Sequence, residues 1–560
     1  MEFHLGAFEH QLSAVKDELL FHKVVERIWK RDFTVWKDNP DEISNRLGWL
    51  DLPENMIPKL DEINDFTESV LRDGFENVVL LGMGGSSLAP EVFRLTFGVK
   101  ENYPDLSVLD TTDPVYIEKF AGNLDFEKSL FIVSTKSGGT VETLSLMKFF
   151  FNLLKNRFGE EKAANHFVAI TDPGSKLEKL AKDFGFRKVF LNAPDIGGRF
   201  SALSYFGLVP ASLVGIDIRK ILDNAGKKAE VSKQNANFIA LFGAFMGGLA
   251  ELGVDKLTFI TSNELKYFQA WAEQLIAEST GKEGKGILPV VDEPVLGLDE
   301  YSNDRFFVII KYSEDDSLNN VIDGLKTKNF PYFIFNLEND YDLGGEFFAW
   351  EFATAVAGWA LKIQPFDQPN VESAKAAARE TIRKYSETGK LPEPQPDFVS
   401  SEGIKFFGGT DGNNISEILT NFIEQKNALE NPPAYLAIQA FVTPDKENYD
   451  LLQRIRTAIT KKYGYVCTVG FGPRFLHSTG QLHKGDAGKG IFLQFMYEPD
   501  KNLPIPDELG TGNSSITFDI LLRSQALGDR QALLDAGRKI LSVDLGFDSH
   551  KNLKLLSEKF

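Results

Sequence analysis

Several stretches of the chain combine residue types that could act on a small anionic molecule. "STKSGGT", Ser134 to Thr140, lies between an apolar run and a helix-like run. Gly138 and Gly139 let the backbone turn sharply, the hydroxyls of Ser134, Ser137 and Thr140 offer donors, and Lys136 adds charge. The helix that begins near Thr140 directs its free N–H groups back at the turn. This is the chemistry of a phosphate cradle. It lacks the G-x-x-x-x-G-K-[ST] spacing of a nucleotide loop, so a sugar phosphate fits it better than ATP. A second turn, "LLGMGGSSLAP", follows the run "NVVLL" and could bring Gly84, Gly85 and Ser86 to the same end of one sheet. Serine and glycine are also ordinary turn and cap residues, so the weight rests on the two turns together.

Two charged residues supply what acid–base chemistry needs. In "NELKYFQAWAEQLIAESTGKEGKG", Tyr267, Trp271, Gln274 and Glu278 recur at helical spacing and share a face, while Glu273 lines up with Lys266 and reads as solvated surface. Glu278 projects from an aromatic face near a helix C-terminus. Desolvation and the macrodipole both push such a carboxyl upward, towards a general base of neutral pH. The other reading of Glu278 is a solvent-facing helix end. "IGGRFSALSYFGLVP" places Arg199 behind two glycines, where a planar, permanently charged guanidinium suits a developing oxyanion, or a salt bridge from loop to helix.

The seven histidines include two close pairs, His4/His10 and His477/His483, and neither has the spacing that puts both rings on one helical face, so no metal site is expected. His477 lies in "GPRFLHSTGQLHKGD", a glycine-containing loop between strands, where function is commonly carried. Cys467 reads as a buried, inert residue of a strand.

Composition bounds the partners. A formal net charge of −19 argues against nucleic acid or an anionic membrane and leaves an anionic small molecule that meets locally concentrated positive charge. A single cysteine allows no intrachain disulfide, and "MEFHLGAFEHQ" has no basic stretch followed by an apolar core, so a soluble cytoplasmic protein is expected. "ANFIALFGAFMGGLAELGV" reads as a buried core helix.

The positioning elements alternate along the chain. Residues 1–60 are charged, helical in pattern and carry Trp29, Trp36 and Trp49, as an arm that packs on something else. From 61 to 217 the runs "NVVLLG", "LSVLD", "LFIVST", "FVAIT" and "KVFLN" alternate with helical patterns, and from 218 to 390 "KLTFITS", "ILPVV", "FFVIIKY" and "YFIFNL" do the same. That alternation predicts two α/β units, each a doubly wound parallel sheet with helices on both faces. "TGKLPEPQPDF" marks a linker. Residues 400–560 predict a further α/β segment with strands "AYLAIQAFV", "VCTVGF" and "IFLQFMY" and a long helix through "ITFDILLRSQALGDRQALLDAGRK".

Taken in order, "LGMGGSSLAP", "STKSGGTVET", "DPGSKL", "GGRFSALS", "AESTGKEGKG" and "PFDQPNVESAK" resemble the successive signatures of the glucose-6-phosphate isomerase family, which is built on two sugar isomerase (SIS) domains. "RFLHSTGQLHKGD" resembles the isomerase half of bifunctional transaldolase/isomerase proteins, here without a transaldolase barrel. The resemblance implies reversible isomerisation of glucose 6-phosphate and fructose 6-phosphate through a cis-enediolate, with no cofactor, a hexose 6-phosphate as the partner, and room for a homodimer. It matches Ser134, Ser137 and Thr140 to the phosphate loop, Gly85 and Ser86 to the sugar-side turn, Arg199 to the arginine that steadies the enediolate and Glu278 to the proton-shuttling base. Lys375 matches the lysine near the ring oxygen and His477 the ring-opening histidine, which in many relatives comes from a second subunit. In the usual order of the family the histidine precedes that lysine. Here it follows, so the C-terminal segment is either a permuted equivalent or the bearer of a coincidental "HSTGQ". Dual use of mannose 6-phosphate and a non-catalytic SIS sensor are the alternatives.

Overall fold

The computed structural model describes residues 2–409, 411–424 and 434–560 of the 560-residue chain. The strands of residues 61–217 form one parallel sheet in the order Asp105–Leu109, Asn77–Gly82, Ser129–Ser134, Phe167–Thr171, Lys188–Leu191. In this doubly wound order the connections diverge between Asn77–Gly82 and Ser129–Ser134, and the crevice beyond the C-terminal ends of such strands is where a ligand enters. Continuous β-branched and aromatic runs suit strands covered on both faces: Ser129–Ser134 and Phe167–Thr171 are buried throughout. Val78, Leu80 and Ile132 turn towards one core, while Val79, Leu81 and Val133 turn towards another.

The second sheet runs Glu2–His4, Tyr332–Leu337, Arg305–Tyr312, Lys256–Thr261, Leu288–Val290; Glu2–His4 is antiparallel to its neighbour and the other pairs are parallel. That edge strand comes from a segment read as helical only. Trp29 stacks against both Phe348 and Phe352, and the Trp36 indole donates 2.8 Å to the carbonyl of Ala355, so the N-terminal segment shares the core of this second unit. The run around Phe238–Glu251 is a largely buried helix, and among the described residues no helix is long and apolar enough to cross a membrane.

The C-terminal sheet is mixed, in the order Phe398–Val399, Lys405–Phe407, Lys539–Asp544, Gly490–Met496, Tyr435–Phe441, Val466–Phe471. The strand Lys539–Asp544 was not foreseen. The sequence pattern carries the preceding helix through to Lys539, but the helix ends at Asp535, Gly537 takes φ +71°, and "KILSVD" follows as a strand. Cys467 is fully buried, which pushes its thiol up to about 12.

Five helices carry the site: α1 (Val141–Phe158), α2 (Phe268–Thr280), α3 (Val371–Thr388), α4 (Gly480–Gly485) and α5 (Phe518–Asp535). Phe518 and Leu521 of α5 enter the core that also holds Phe149 and Phe150 of α1, which seats the C-terminal segment on the first unit.

Candidate active site

The two glycine-serine turns meet. Gly82 and Ser134 are register partners on adjacent strands, and the Ser134 hydroxyl donates 3.2 Å to the carbonyl of Ser86. Gly85 is pressed against the third turn: a Cβ there would stand 2.0 Å from the carbonyl oxygen of Gly198 and 2.9 Å from the Arg199 nitrogen. Gly138 takes φ +66°, and a Cβ on it would lie 2.7 Å from the Leu177 nitrogen, so the cradle turn needs glycine twice over.

Beyond these turns opens a cavity of about 350 Å³ whose wall includes Ser137, Thr140, Lys375, His477, Lys484 and Gln525. The first unit, α3 and the C-terminal segment thus converge on one space. Ser137 accepts from the Gly139 N–H at 3.2 Å, and Thr140 lies 2.8 Å from the Thr135 hydroxyl. Thr140 caps α1 without a side-chain hydrogen bond, which leaves first-turn N–H groups for an anion. Lys136 points elsewhere: its ammonium pairs with Asp172 and donates 2.9 Å to the carbonyl of Pro194. Ser134 is fully buried beneath the turns. Lys136, Ser134, Gly85 and Ser86 therefore shape the crevice without lining this cavity.

His477 comes from the C-terminal segment and its partner from α1. Its Nε2 lies 2.9 Å from Oε1 of Glu142, and the Gln525 amide donates 2.7 Å to the same oxygen. Gln525 is fixed in turn by the Thr112 hydroxyl at 2.8 Å. Burial by itself would raise the Glu142 carboxyl; the charge and hydrogen bond of His477 outweigh it and hold that group below its ordinary value. The short turn Arg474–His477 is anchored on both sides. Arg474 pairs with Glu91 and with Asp110 at 3.2 Å, and the Ser478 hydroxyl donates 3.1 Å to Glu273. Glu273, expected on a solvated face, is half-buried and lines a second cavity of about 590 Å³ with Lys266 and Tyr267. Tyr267 accordingly faces this second cavity and not the one lined by His477.

Gln274 joins the histidine to the base. Its side-chain amide donates 2.7 Å to the carbonyl of His477 and 3.1 Å to Oε2 of Glu278. Glu278 is 9% exposed and sits one side chain behind the wall formed by His477. Nη1 of Arg199 stands 3.5 Å from its Oε1. Arg199, 3% exposed, is tightly held: Nε donates 2.7 Å to Ser279, Nη1 3.0 Å to Gln368, and Nη2 2.6 and 3.0 Å to the carbonyls of Pro365 and Asp367. A guanidinium has five N–H donors, so one of Nη1 remains for Glu278 or a ligand. Next to it, Lys282 pairs with Asp367 at 2.8 Å, and burial together with the Arg199 charge pushes its ammonium down to about 8. Lys375 is exposed on α3, 2.9 Å from Glu372.

Glu142, Gln274, Gln368 and Gln525 were not singled out for these roles. Glu142 does lie inside the quoted "STKSGGTVET", but an acidic residue in a first helical turn is ordinary dipole complementation, and only the fold brings a histidine to it.

Comparison with known proteins shows what the chain is similar to. The family model described as phosphoglucose isomerase matches residues 59–287, which include both turns, Arg199 and Glu278 and end before Lys375 and His477. A probable glucose-6-phosphate isomerase of Methanococcus maripaludis is 30% identical over 410 residues, covering 65% of this chain and 89% of that protein. The glucose-6-phosphate isomerase of Staphylococcus saprophyticus is 30% identical over 382 residues, covering 59% and 86%. Among solved structures, a hypothetical protein of Thermus thermophilus superposes with a TM-score of 0.57 at 24% identity, covering 68% of this chain and 99% of that one. A glucose-6-phosphate isomerase of Chlamydia trachomatis gives 0.51 at 21% identity, covering 65% and 78%. These two likenesses speak for the fold.

Proposed function

Because this chain belongs to the glucose-6-phosphate isomerase family, its reaction is the aldose–ketose isomerisation of a sugar phosphate, and we propose that the residues gathered here divide that reaction as follows. The phosphate of glucose 6-phosphate or fructose 6-phosphate sits at Ser137, Thr140 and the free N–H groups of α1, and this remote binding orients the reacting carbons. His477, backed by Glu142, moves the proton that opens the ring, with Lys375 near the ring oxygen. Glu278 takes the proton from C2 and returns it to C1. Arg199, fixed by four hydrogen bonds and facing Glu278, balances the charge of the enediolate.

The observation that carries this reading is the single chain of contacts from cradle to base: Ser137 and Thr140 face the cavity of His477, and Gln274 ties His477 to Glu278. An assay of the purified protein with fructose 6-phosphate, glucose 6-phosphate formation being read through a coupled dehydrogenase, tests it. Turnover of fructose 6-phosphate is expected; a protein that binds sugar phosphates and converts none of them is a sensor and removes the assignment.

A further inference from the structure

Two cations on the cavity wall are left out of the roles above, Arg379 and Lys484, and of the two only Lys484 is buried. Lys484, on α4 and C-terminal to the short turn of His477, lines the cavity with Ser137 and Thr140 while its side chain is only 2% exposed. Its ammonium lies 2.5 Å from Oδ1 of Asp529 on α5 and donates 3.1 Å to the carbonyl of Gly480. An ammonium has three N–H donors, so at least one is left without a protein partner among the described residues. Asp529 is 0% exposed and neither of its oxygens accepts a well-formed hydrogen bond, so among the described residues its ion pair is with Lys484 alone.

A buried ion pair contributes little net stability, because desolvation of both charges offsets their attraction. Its place in a cavity wall needs another reason, and the substrate supplies one. Lys136, the lysine of the cradle turn, is tied to Asp172 and Pro194, and Lys375 and Arg379 are exposed side chains that both face Glu372. A dianionic phosphate held by hydroxyls and N–H groups alone would lack a fixed counter-charge.

We propose that Lys484, held in place by Asp529, is a phosphate-binding residue of this site and directs its free N–H at the substrate phosphate. This rests on the isomerase reading above. The test compares the wild-type chain with Lys484→Met, with Lys484→Arg, and with the double variant Lys484→Met/Asp529→Leu, in which no buried charge is left unpaired. Two readouts are taken: KM and kcat for fructose 6-phosphate, and calorimetric binding of inorganic phosphate. Both the single and the double methionine variants should raise KM and weaken phosphate binding at least about tenfold with a smaller change in kcat, Lys484→Arg should recover part of the loss, and the double variant should melt like the wild type. A double variant that binds phosphate within about twofold of wild type overturns the proposal and makes the pair purely structural. A wild-type chain that binds phosphate through Lys484 but turns over no sugar supports this inference and removes the isomerase reading instead.

Discussion

The imidazole of His477 and the carboxylate of Glu142, brought together from the C-terminal segment and the first turn of α1, share a 2.9 Å contact at the mouth of the phosphate cradle. Each side chain belongs to a different sheet system, so the contact exists only when the C-terminal segment is docked. Glu142→Gln keeps the shape and removes the charge. Isomerase activity on the ring-closed substrate should fall by roughly 10². Acid stability should change in a defined direction. The folded carboxyl is held below its ordinary value, so its contribution is present above about 4.5 and is lost as pH falls through the folded value. Thermal melts between pH 6 and pH 3 should therefore be flatter for the variant; parallel curves would mean the pair contributes nothing.

Glu278→Gln addresses the base directly. The amide retains the hydrogen bond with Gln274 and the place beside Arg199 but cannot carry a proton between carbons. Turnover should drop by roughly 10² to 10⁴ while 6-phosphogluconate still binds, as isothermal calorimetry would show. Near-normal turnover would move the base elsewhere.

Much of this was readable beforehand because its signals are local. Two glycine-serine turns after β-branched runs, in a chain alternating strands with helices, can only lie at one end of a parallel sheet, and the fold puts Gly82 and Ser134 side by side. Glu278 and Gln274 share a helical face by spacing alone. What escaped was set by contacts between distant segments. Nothing near Glu273 shows that the turn after Phe471 will cover it, nothing near Lys136 reveals Asp172, and Glu142 looks like any first-turn acid until His477 arrives. The edge strand Glu2–His4 is three residues long and owes its form to Tyr332–Ile334 beside it.

Gly85 tests whether the turns must touch. Its backbone φ is not left-handed, so alanine is conformationally acceptable; the obstacle is the carbonyl of Gly198 at 2.0 Å from the new carbon. Since neither neighbour is a flexible side chain, Gly85→Ala should push the Arg199 turn away and lower kcat at least about tenfold, with a stability loss of about 1–3 kcal/mol. Activity and melting temperature together check this, and unchanged kcat would show that the close approach is dispensable.

Glu273 gives a pH dependence of opposite sign to that of Glu142. Burial raises its carboxyl to about 7, against the lowering effects of Ser478 and Arg474. Between 4.5 and about 7 the folded chain keeps a proton that the unfolded chain has released, so stability falls as pH rises across that window. Glu273→Gln can still accept from Ser478 and carries no charge. It should melt higher than wild type at pH 8 and about equally at pH 4.5, measured by calorimetry; equal melting temperatures at both pH values would leave the group solvated.

The placement of His477 has a consequence for assembly. Cradle, histidine, lysine and base all meet within one chain: Ser137, Lys375 and His477 line one cavity, and Gln274 passes from His477 to Glu278. A site shared across subunits would let two defective chains complement each other, because a mixed dimer of His477→Ala with Glu278→Gln would contain one intact site, about a quarter of all sites in a random mixture. A site completed in its own chain allows no such rescue. Co-unfolding and refolding the two variants together should therefore recover no activity above their separate residual levels. Recovery near a quarter of wild-type activity would show that the histidine is donated by a second copy, and would make the isomerase an obligate oligomer.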